Sequence, residues 1–320
     1  MTIAYGVVRP PGGEPRVAAR VDGRVVDLSD LGDAFRRPSL NDFMTLGRDA
    51  WRATTERARG LDGPRVDGEC LLPFEVADYV DFYSSLDHAT NLGRLFRPDS
   101  EPLLRGSAIR RPHGQRMPGP TFGPSTRLDI ELEIGFVIGT PSRLGVPVPV
   151  EQALDHVFGV VLVNDWSARD IQAWEYQPLG PFLGKSFATS ISPWVVPLDE
   201  LAEYRVPLPP QEPPLLDYLA TDPWAYDLEL EIELNGETIS RTNARHLYWN
   251  IEQQLAHLTA NGASLRTGDL LASGTISGPE RDSSGSLIEL TWNERFLEDG
   301  DEVVLRAPQL QLEVRGRITP

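Results

Sequence analysis

Short alternating runs of hydrophobic and polar residues mark the first part of the chain. They occupy residues 4–8, 16–21 and 24–28, and Gly, Pro and Asp separate them. Such period-two runs between turn residues are typical of β-strands. A stretch with helical spacing follows at 40–58, with Asn41 as its candidate N-cap. The pattern therefore predicts a small β-rich domain at residues 1–72.

The remaining residues, 73–320, contain longer apolar runs. Residues 158–163 are almost continuously hydrophobic, and residues 130–138 are mostly apolar apart from Glu131 and Glu133. Runs of this length and composition are typical of buried strands, and helical patterns between them are few. We therefore expect a larger, mostly β domain, and an α+β class for the chain as a whole.

Two local signals refine this picture. Residues 227–234 alternate acidic and aliphatic side chains and lead into Asn235-Gly236, which strongly predicts a hairpin. Apolar residues between 247 and 258 have helical spacing, and Asn261-Gly262 is the expected C-cap of that helix.

Composition narrows the class of protein. The chain has 320 residues, of which 40% are hydrophobic, so it can bury a substantial core. Its net charge is −17 and its pI about 4.7, which disfavours nucleic acid and anionic membranes as partners. Residues 1–15 lack the apolar core typical of a signal peptide, and no apolar run reaches the length that spans a bilayer, so we expect neither feature. With Cys70 as the single cysteine, we expect a soluble cytoplasmic protein without an intramolecular disulfide.

Three carboxylates share one face of a predicted strand. Asp129, Glu131 and Glu133 alternate with aliphatic residues, so they project to the same side. Facing a cavity, they would repel one another unless a hard cation such as Mg²⁺ or Ca²⁺ neutralised them. The same spacing recurs in the predicted hairpin, where a solvated face explains it: Asp227, Glu229, Glu231 and Glu233. Spacing alone therefore leaves both interpretations open for the first strand.

Polar side chains follow the second apolar run. Asp165 closes that run, and a short helix is expected over 166–174. Arg169, Gln172 and Tyr176 would then share one helix face. A guanidinium, an amide and a phenol beside a carboxylate suit an oxyanion or a substrate carboxylate, but a solvated helix face explains the spacing equally well.

Further candidate residues stand in separate segments. His88 lies in 81–91, a segment that mixes two carboxylates, a phenol and an imidazole with apolar residues. Lys185 is a fixed cation in a glycine-flanked loop, whose spacing and Pro181 exclude a phosphate-binding loop. Glu289 lies in a strand-like run at 286–292, where we expect the carboxylate to have a partner or a raised pKa. Residues 272–278 offer hydroxyl groups and flexible backbone for close approach of a ligand.

Seven runs of the sequence resemble, in the same order, motifs of the fumarylacetoacetate hydrolase family. They are DFYSSLDHATNLGRLFR (81–97), IRRPHGQ (109–115), LDIELEIGFVIG (128–139), VNDWSARDIQAWEYQPLGPFLGKSF (163–187), SPWVVP (192–197), GDLLASGTISGPE (268–280) and FLEDGDEV (296–303). Their length and order make the resemblance specific.

The resemblance implies a fold, an assembly and a metal. The expected fold is a mixed β-roll catalytic domain with a small SH3-like N-terminal domain, in a homodimer. The family's divalent-metal positions are matched by Asp81, Glu131, Glu133 and Asp165, and a second ion site lies near Lys185 and Thr189. Mg²⁺ or Ca²⁺ is the expected cofactor.

The resemblance also implies a reaction. His88 and Glu289 match a catalytic dyad that deprotonates water, and the water attacks a carbonyl of a β-diketo acid such as fumarylacetoacetate, in tyrosine and phenylalanine catabolism. The expected oxyanion-holding residues are Arg169, Gln172 and Lys185; the expected substrate contacts are Tyr83, Arg97, Tyr176 and Thr275.

One departure from the family bears on the substrate. Family members of this kind carry a longer segment after Arg97, with a Tyr-His-Gly-Arg sequence that this chain lacks. The expected substrate is therefore fumarylacetoacetate or a related diketo acid. Two alternatives stay open: a β-keto acid decarboxylase or tautomerase with the same metal-stabilised enolate, and a metal-binding or small-molecule-binding protein without activity.

Overall fold

The computed structural model describes residues 2–61, 65–93, 103–104, 108–117, 119, 121–178 and 180–320. Arg97, one of the expected substrate contacts, lies outside these residues. None of the helices in the described part of the chain combines the length and the apolar character needed to cross a membrane.

Strands dominate the described chain, as the sequence predicts. They are β1 Ile3–Arg9, β2 Arg16–Val21, β3 Arg24–Asp27, β4 Glu69–Leu71, β5 Tyr79–Asp81, β6 Leu103–Leu104, β7 Ala108–Arg110, β8 His113–Arg116, β9 Thr121–Pro124, β10 Leu128–Asp129, β11 Leu132–Ile138, β12 Val157–Asp165, β13 Ser167–Ala168, β14 Thr189–Ile191, β15 Trp194–Pro197, β16 Arg205–Pro207, β17 Trp224–Tyr226, β18 Glu229–Leu234, β19 Glu237–Asn243, β20 Leu270–Ala272, β21 Glu302–Ala307 and β22 Leu312–Thr319. The α-helices are α1 Asn41–Met44, α2 Arg48–Arg59, α3 Leu86–Gly93, α4 Arg169–Glu175, α5 Ile251–Thr259 and α6 Leu287–Leu290.

One large sheet runs through both predicted domains. Its order is β3-β2-β1-β15-β12-β11-β20-β5, with β4 and β14 pairing to its sides and β6 pairing to β14. The strand β1 near the N-terminus pairs antiparallel with β15, which pairs in turn with β12. The sheet therefore joins N-terminal strands to the strands that carry the candidate site. The domain boundary at residues 72 and 73 stays a prediction.

A second sheet covers part of the first. It has the order β19-β18-β21-β22-β7, and its buried leucines and valines belong to the same hydrophobic core as the buried side chains of β11 and β12. A second core cluster joins Tyr5 and Phe43 to Phe158 and Val161 of β12. Both faces of β12 are thus buried, which explains its continuous hydrophobic sequence.

Most of the predicted strands are confirmed. The three N-terminal runs form β1, β2 and β3, and the run at 158–163 lies within β12. The Asn235-Gly236 hairpin is confirmed as well: both residues have positive φ, 54° and 85°, and they connect β18 to β19. Positive φ at both central residues is the requirement that Asn-Gly satisfies in a two-residue hairpin.

The single helix predicted over 40–58 is wrong. Gly47 has a φ of 83°, so it separates α1 from α2. Asn41 is the first residue of α1 rather than its cap, because its side chain bonds to the backbone of Glu75 instead. The tertiary contact with residue 75 overrides the local capping signal.

The helix predicted over 247–258 is shorter than expected. Asn250 forms a capping box with Gln253, so α5 begins at Ile251 and Leu247 lies outside the helix. Gly262, with a φ of 90°, follows the end of the helix, as the sequence predicts.

The strand predicted over 130–138 is interrupted. The strand β10 pairs with β13 and ends at Asp129, whereas β11 pairs with β12 and begins only at Leu132. The Asp129 carboxylate accepts a hydrogen bond from the N–H of Ile130, the next residue, at 2.7 Å. The break in strand pairing at residues 130 and 131 separates Asp129 from the part of the chain that carries Glu131 and Glu133.

Candidate metal centre and catalytic site

Four acidic side chains from three strands meet at one point. Asp81 ends β5, Glu133 lies in β11 with Glu131 just before it, and Asp165 ends β12. Because β11 pairs with β12 and with β20, and β20 pairs with β5, the sheet register brings these positions together. One carboxylate oxygen from each of the four residues lies within 4.8 Å of the others.

The environment of Glu133 fits a bound cation. Both carboxylate oxygens are buried and have no hydrogen-bond partner among the residues that the structure describes. Burial, followed by repulsion from Asp81 and Asp165, raises the pKa of Glu133 well above its ordinary value. A buried carboxylate without a partner is costly, and a hard divalent cation would satisfy both oxygens. The donor set consists of oxygen atoms, as Mg²⁺ and Ca²⁺ prefer.

Lys185 borders this acidic cluster. Its Nζ donates to Glu131 Oε2 and to Asp165 Oδ2, each at 2.5 Å. Burial alone would lower the pKa of Lys185, but Asp165 and Glu131 outweigh it and raise the pKa. A buried ammonium thus stays charged and neutralises part of the cluster. Thr189 Oγ1 donates to Asp165 Oδ1 at 3.2 Å.

A glycine brings Lys185 to this position. A Cβ at Gly184 would lie only 2.8 Å from the backbone nitrogen of Gln172. Glycine therefore lets the loop pack closely against α4. The ammonium of Lys185 has no lone pair, so any ion ligand from this residue would be its backbone carbonyl. The second ion site near Lys185 and Thr189 stays a prediction.

Arg169, at the start of α4, connects the cluster to Asp129. Its Nε donates to Asp129 Oδ2 at 2.8 Å, and its Nη1 lies 2.7 Å from Glu131 Oε1 and 3.3 Å from Gln172 Oε1. Burial favours the neutral form of Glu131, but Arg169 and Lys185 outweigh it and hold its pKa below the ordinary value. Arg169 Nη2 is buried and has no partner among the described residues. It is a donor that a ligand could use.

His88 and Glu289 form a buried pair next to the acidic cluster. His88 Nδ1 lies 2.8 Å from Glu289 Oε2, and His88 Nε2 lies 3.7 Å from Glu131 Oε1. The hydroxyls of Ser277 and Ser286 also donate to Glu289 Oε2, at 2.9 and 2.6 Å. With Nδ1 facing the carboxylate, Nε2 is the nitrogen that faces the acidic cluster.

The strand expected around Glu289 is wrong. Residues 287–290 form the short helix α6, because the backbone N–H groups of Leu287 and Ile288 donate to the Asp129 carboxylate rather than to a neighbouring strand. The expectation that Glu289 has a partner is confirmed by its bond to His88.

The expected substrate contacts differ in their positions. The ring of Tyr83 lies 5.3 Å from that of His88, in an edge-on arrangement. Thr275 Oγ1 is buried and has no partner among the described residues, so it is a further free donor. Tyr176 follows the last residue of α4 and is partly exposed.

The sequence did not reveal the roles of three residues at the site. Asp129 was grouped with the metal carboxylates, but the described cluster does not include it, and its carboxylate binds Arg169 instead. Ser277 and Ser286 hold Glu289 in place. The hydroxyl-rich run 272–278 was a usable signal for Ser277, whereas nothing in the local sequence distinguishes Ser286.

Comparisons with known proteins identify the family of this chain. Residues 79–317 match the family described as fumarylacetoacetate (FAA) hydrolase, C-terminal, and residues 2–61 match fumarylacetoacetase, N-terminal. Fumarylacetoacetase of Homo sapiens is 40% identical over 376 aligned residues, covering 95% of this chain and 90% of the human protein. The Arabidopsis thaliana fumarylacetoacetase is 42% identical, with 94% and 89% coverage. The alignment with the human protein is longer than this 320-residue chain, so that relative carries segments that this chain lacks.

Solved structures share the architecture. A fumarylacetoacetate hydrolase of Exiguobacterium antarcticum superposes with a TM-score of 0.65 at 19% identity, covering 99% of both chains. A maleylpyruvate hydrolase of Sphingobium, solved with manganese(II) and pyruvate, gives a TM-score of 0.59 at 18% identity, covering 98% of both chains. At these identities the structures establish the fold, and the closer sequence relatives establish the relationship. The chain belongs to the fumarylacetoacetate hydrolase family.

Proposed function

We propose that this protein is a divalent-metal-dependent hydrolase that cleaves a carbon–carbon bond of a β-diketo acid. The observation that carries the proposal is the position of His88, which binds Glu289 through Nδ1 and lies 3.7 Å from the metal-site residue Glu131 through Nε2. A general base therefore borders a cluster suited to a hard cation. In metal-dependent hydrolases, a general base of this kind can activate water beside a metal that polarises the substrate carbonyl.

The metal would be held by the four clustered carboxylates: Asp81, Glu131, Glu133 and Asp165. When bound, it supplies electrophilic polarisation of the two substrate oxygens. Lys185 and Arg169 reduce the negative charge around Glu131 and Asp165, so the cluster is not forced apart before the ion binds.

His88 acts as the base. The Glu289 carboxylate accepts the Nδ1 proton, which leaves the lone pair of Nε2 to take a proton from water. The resulting hydroxide adds to one carbonyl carbon of the diketone, and the charge moves to that carbonyl oxygen. Arg169 Nη2, buried and without a partner among described residues, is a suitable donor to this oxyanion. We expect Lys185 and Gln172 to assist, since Gln172 Oε1 contacts Arg169 Nη1 and Lys185 shares the Glu131 carboxylate with Arg169.

Collapse of the oxyanion breaks the carbon–carbon bond. One fragment leaves as a carboxylic acid and the other as an enolate, which takes its proton from the imidazolium of His88. Water is thus consumed and the base is regenerated. We expect two residues to contact the substrate: Tyr83, whose ring lies 5.3 Å from that of His88, and Thr275, whose buried hydroxyl has no partner among the described residues.

Fumarylacetoacetate is the substrate that we favour. The basis is the 40% identity to fumarylacetoacetases over nearly the whole chain. Because the alignment shows that this chain lacks segments present in the human protein, a related diketo acid that fits a differently shaped pocket is the second choice.

Substitution of His88 tests the proposal. Wild-type protein with Mg²⁺ or Ca²⁺ should consume fumarylacetoacetate, and His88→Ala should reduce kcat by about 10³-fold or more. His257→Ala is the matched control, because His257 bonds to Tyr218 at the surface of α5. Equal activity of His88→Ala and the wild type would refute the assignment of the base.

Isotope labelling separates hydrolysis from decarboxylation or tautomerisation. In ¹⁸O-water, only hydrolysis places a solvent oxygen in a new carboxylate during cleavage. Appearance of ¹⁸O in one product carboxylate at the rate of substrate loss is the expected result. Loss of CO₂, or isomerisation without label, would replace the proposal with the alternative reaction.

We further infer a cytoplasmic homodimer that uses Mg²⁺ or Ca²⁺. The acidic composition supports a non-membrane location, and the exposed apolar side chains of Phe122, Phe182 and Leu183 offer surface for a second copy. Light scattering should give about twice the 35.5 kDa chain mass. Metal analysis of protein purified without chelator identifies the ion.

A further inference from the structure

Asp129 is a buried carboxylate that belongs neither to the acidic cluster of the candidate metal centre nor to the His88–Glu289 pair. It is fully buried, and its two oxygens accept four hydrogen bonds. Oδ1 accepts from the N–H of Ile130 at 2.7 Å and of Leu287 at 2.8 Å. Oδ2 accepts from the N–H of Ile288 at 3.2 Å and from Arg169 Nε at 2.8 Å.

These bonds reach both halves of the proposed site. Arg169 belongs to the side that would hold the oxyanion. Leu287 and Ile288 begin α6, the four-residue helix in which Glu289 faces His88. The Asp129 carboxylate therefore contacts the Arg169 guanidinium directly. It also binds the start of the helix that holds Glu289, which in turn contacts His88.

The chemistry of this position requires a carboxylate. Each oxygen faces two N–H donors, so neither oxygen can be replaced by an NH₂ group without placing donors against donors. Burial raises the pKa of Asp129, and the charge and hydrogen bond of Arg169 oppose that shift. Loss of one partner would leave a buried charge or a buried donor unpaired, so breaking any of these contacts should cost substantial free energy.

We propose that Asp129 is a positioning residue that fixes the distance between the Arg169 guanidinium and the His88–Glu289 pair. It does not touch the substrate. It holds Arg169 so that Nη1 contacts Glu131 and Nη2 is available to the reacting oxygen. It also holds α6 so that Glu289 Oε2 contacts His88. This assignment rests on the proposed hydrolase function for its kinetic consequences, whereas its geometric consequences do not depend on it.

The test compares Asp129→Asn with Asp170→Asn. Asp170 is also fully buried and also accepts four hydrogen bonds, but from Ser125 Oγ, Thr126 N, Thr126 Oγ1 and Ile171 N. Both substitutions replace a satisfied buried carboxylate with an amide, so both should lower the melting temperature. Only Asp129 contacts the Arg169 side chain and the start of α6.

The expected kinetic result is a difference between the two variants. Asp129→Asn should lower kcat about 10- to 100-fold, as loss of an orienting partner typically does, with little change in KM. Asp170→Asn, assayed below its melting midpoint, should retain the wild-type kcat. In an Arg169→Gln background, Asp129→Asn should cost much less than in the wild type, because part of its effect passes through Arg169.

Crystal structures of the variants give a readout independent of turnover. In Asp129→Asn, the contact of Arg169 Nη1 with Glu131 and that of Glu289 with His88 should lengthen. Asp129→Ser, which keeps one acceptor oxygen and adds no NH₂ group, is the second variant if the amide prevents folding.

Each outcome decides the proposal. Wild-type contact distances in the Asp129 variant, or a kcat loss no larger than in Asp170→Asn, would overturn it. If the wild-type protein hydrolyses no diketo acid, the proposed function fails, and the crystallographic comparison still decides whether Asp129 positions these groups.

Discussion

Two segments of this protein, residues 129–133 and 227–233, share an alternation of acidic and aliphatic residues but place their carboxylates in different environments. The carboxylates of Glu131 and Glu133 are buried at the candidate metal centre. In β18, Glu231 and Glu233 lie at the surface of the second sheet, partly exposed. The difference lies in what the neighbouring strands offer to the acidic face.

Arginines on adjacent strands neutralise the acidic face of β18. Glu231 lies 3.0 Å from Arg241 of β19, and Glu233 lies 2.6 Å from Arg306 of β21. In contrast, Glu133 has no described partner. An acidic strand whose neighbours supply a cation for each carboxylate is a solvated face, and one with an unmatched buried carboxylate suits a metal ion.

Removal of one carboxylate from each strand should have very different effects. Glu133→Gln should reduce kcat by about 10³-fold and abolish saturable binding of Mg²⁺ or Ca²⁺, because the metal loses a ligand with two unpaired oxygens. Glu231→Gln, the matched control, should leave both unchanged. Steady-state kinetics and titration calorimetry measure the two effects. Tight metal binding by Glu133→Gln would refute the assignment of Glu133 as a metal ligand and thus the difference proposed between the two strands.

The pH dependence of stability should distinguish the strands as well. The pKa of Glu133 is raised in the folded protein, so its contribution to stability is complete below its unfolded value of about 4.5 and is lost as the pH rises through the folded pKa. Metal-free protein should therefore lose stability toward neutral and alkaline pH. A divalent ion replaces the proton, so its stabilising effect should grow with pH and reach about 5 °C at saturating concentration.

Asp227, just before β18, should have the opposite effect on the pH dependence of stability, because its pKa is lowered rather than raised. Its hydrogen bond with Asn243 and its contact with Arg245 hold its pKa below the ordinary value, so its contribution is present above pH 3.9 and is lost in acid. Thermal melts of metal-free wild type, Glu133→Gln and Asp227→Asn across pH measure both trends. A neutral-to-alkaline loss of equal size in Glu133→Gln would contradict the role of Glu133.

The smallest expected effect concerns the surface ion pair between Glu233 and Arg306. A double-mutant cycle with Glu233→Gln and Arg306→Gln should give a coupling free energy of about 0.5–1 kcal/mol that decreases in high salt. Urea denaturation at two salt concentrations measures it. A coupling several times larger and independent of salt would mean that this face is not screened by solvent.

The sequence predicts the strands that carry the site better than it predicts the assignment of individual carboxylates. Alternation places Asp129, Glu131 and Glu133 on one face, yet Asp129 turns away because its neighbour Ile130 donates to it and Arg169 approaches from α4. That choice depends on a residue 40 positions later in the chain, which periodicity does not record.

The role of Glu289 was equally hard to predict locally. The run 286–292 alternates like a strand, but the Asp129 carboxylate attracts the N–H groups of Leu287 and Ile288 and favours a helical turn. In contrast, Asn235-Gly236 predicted its hairpin correctly, because that turn depends only on the φ values that the two residues tolerate. The Asn-Gly turn was predicted because no distant partner competes with it, whereas distant partners overrode the cap expected at Asn41 and the strand expected around Glu289.

The pairing of β1 with β15 also has a consequence for folding. Residues near the N-terminus complete a sheet whose central strand ends in Asp165, and Tyr5 packs on Phe158 of that strand. Removal of the N-terminal segment would expose an unpaired edge and an aromatic core. We therefore expect a single cooperative calorimetric transition, and aggregation of any fragment that begins after residue 72. The N-terminal strand thus covers an edge and an aromatic surface of the sheet whose strand β12 ends in the acidic site.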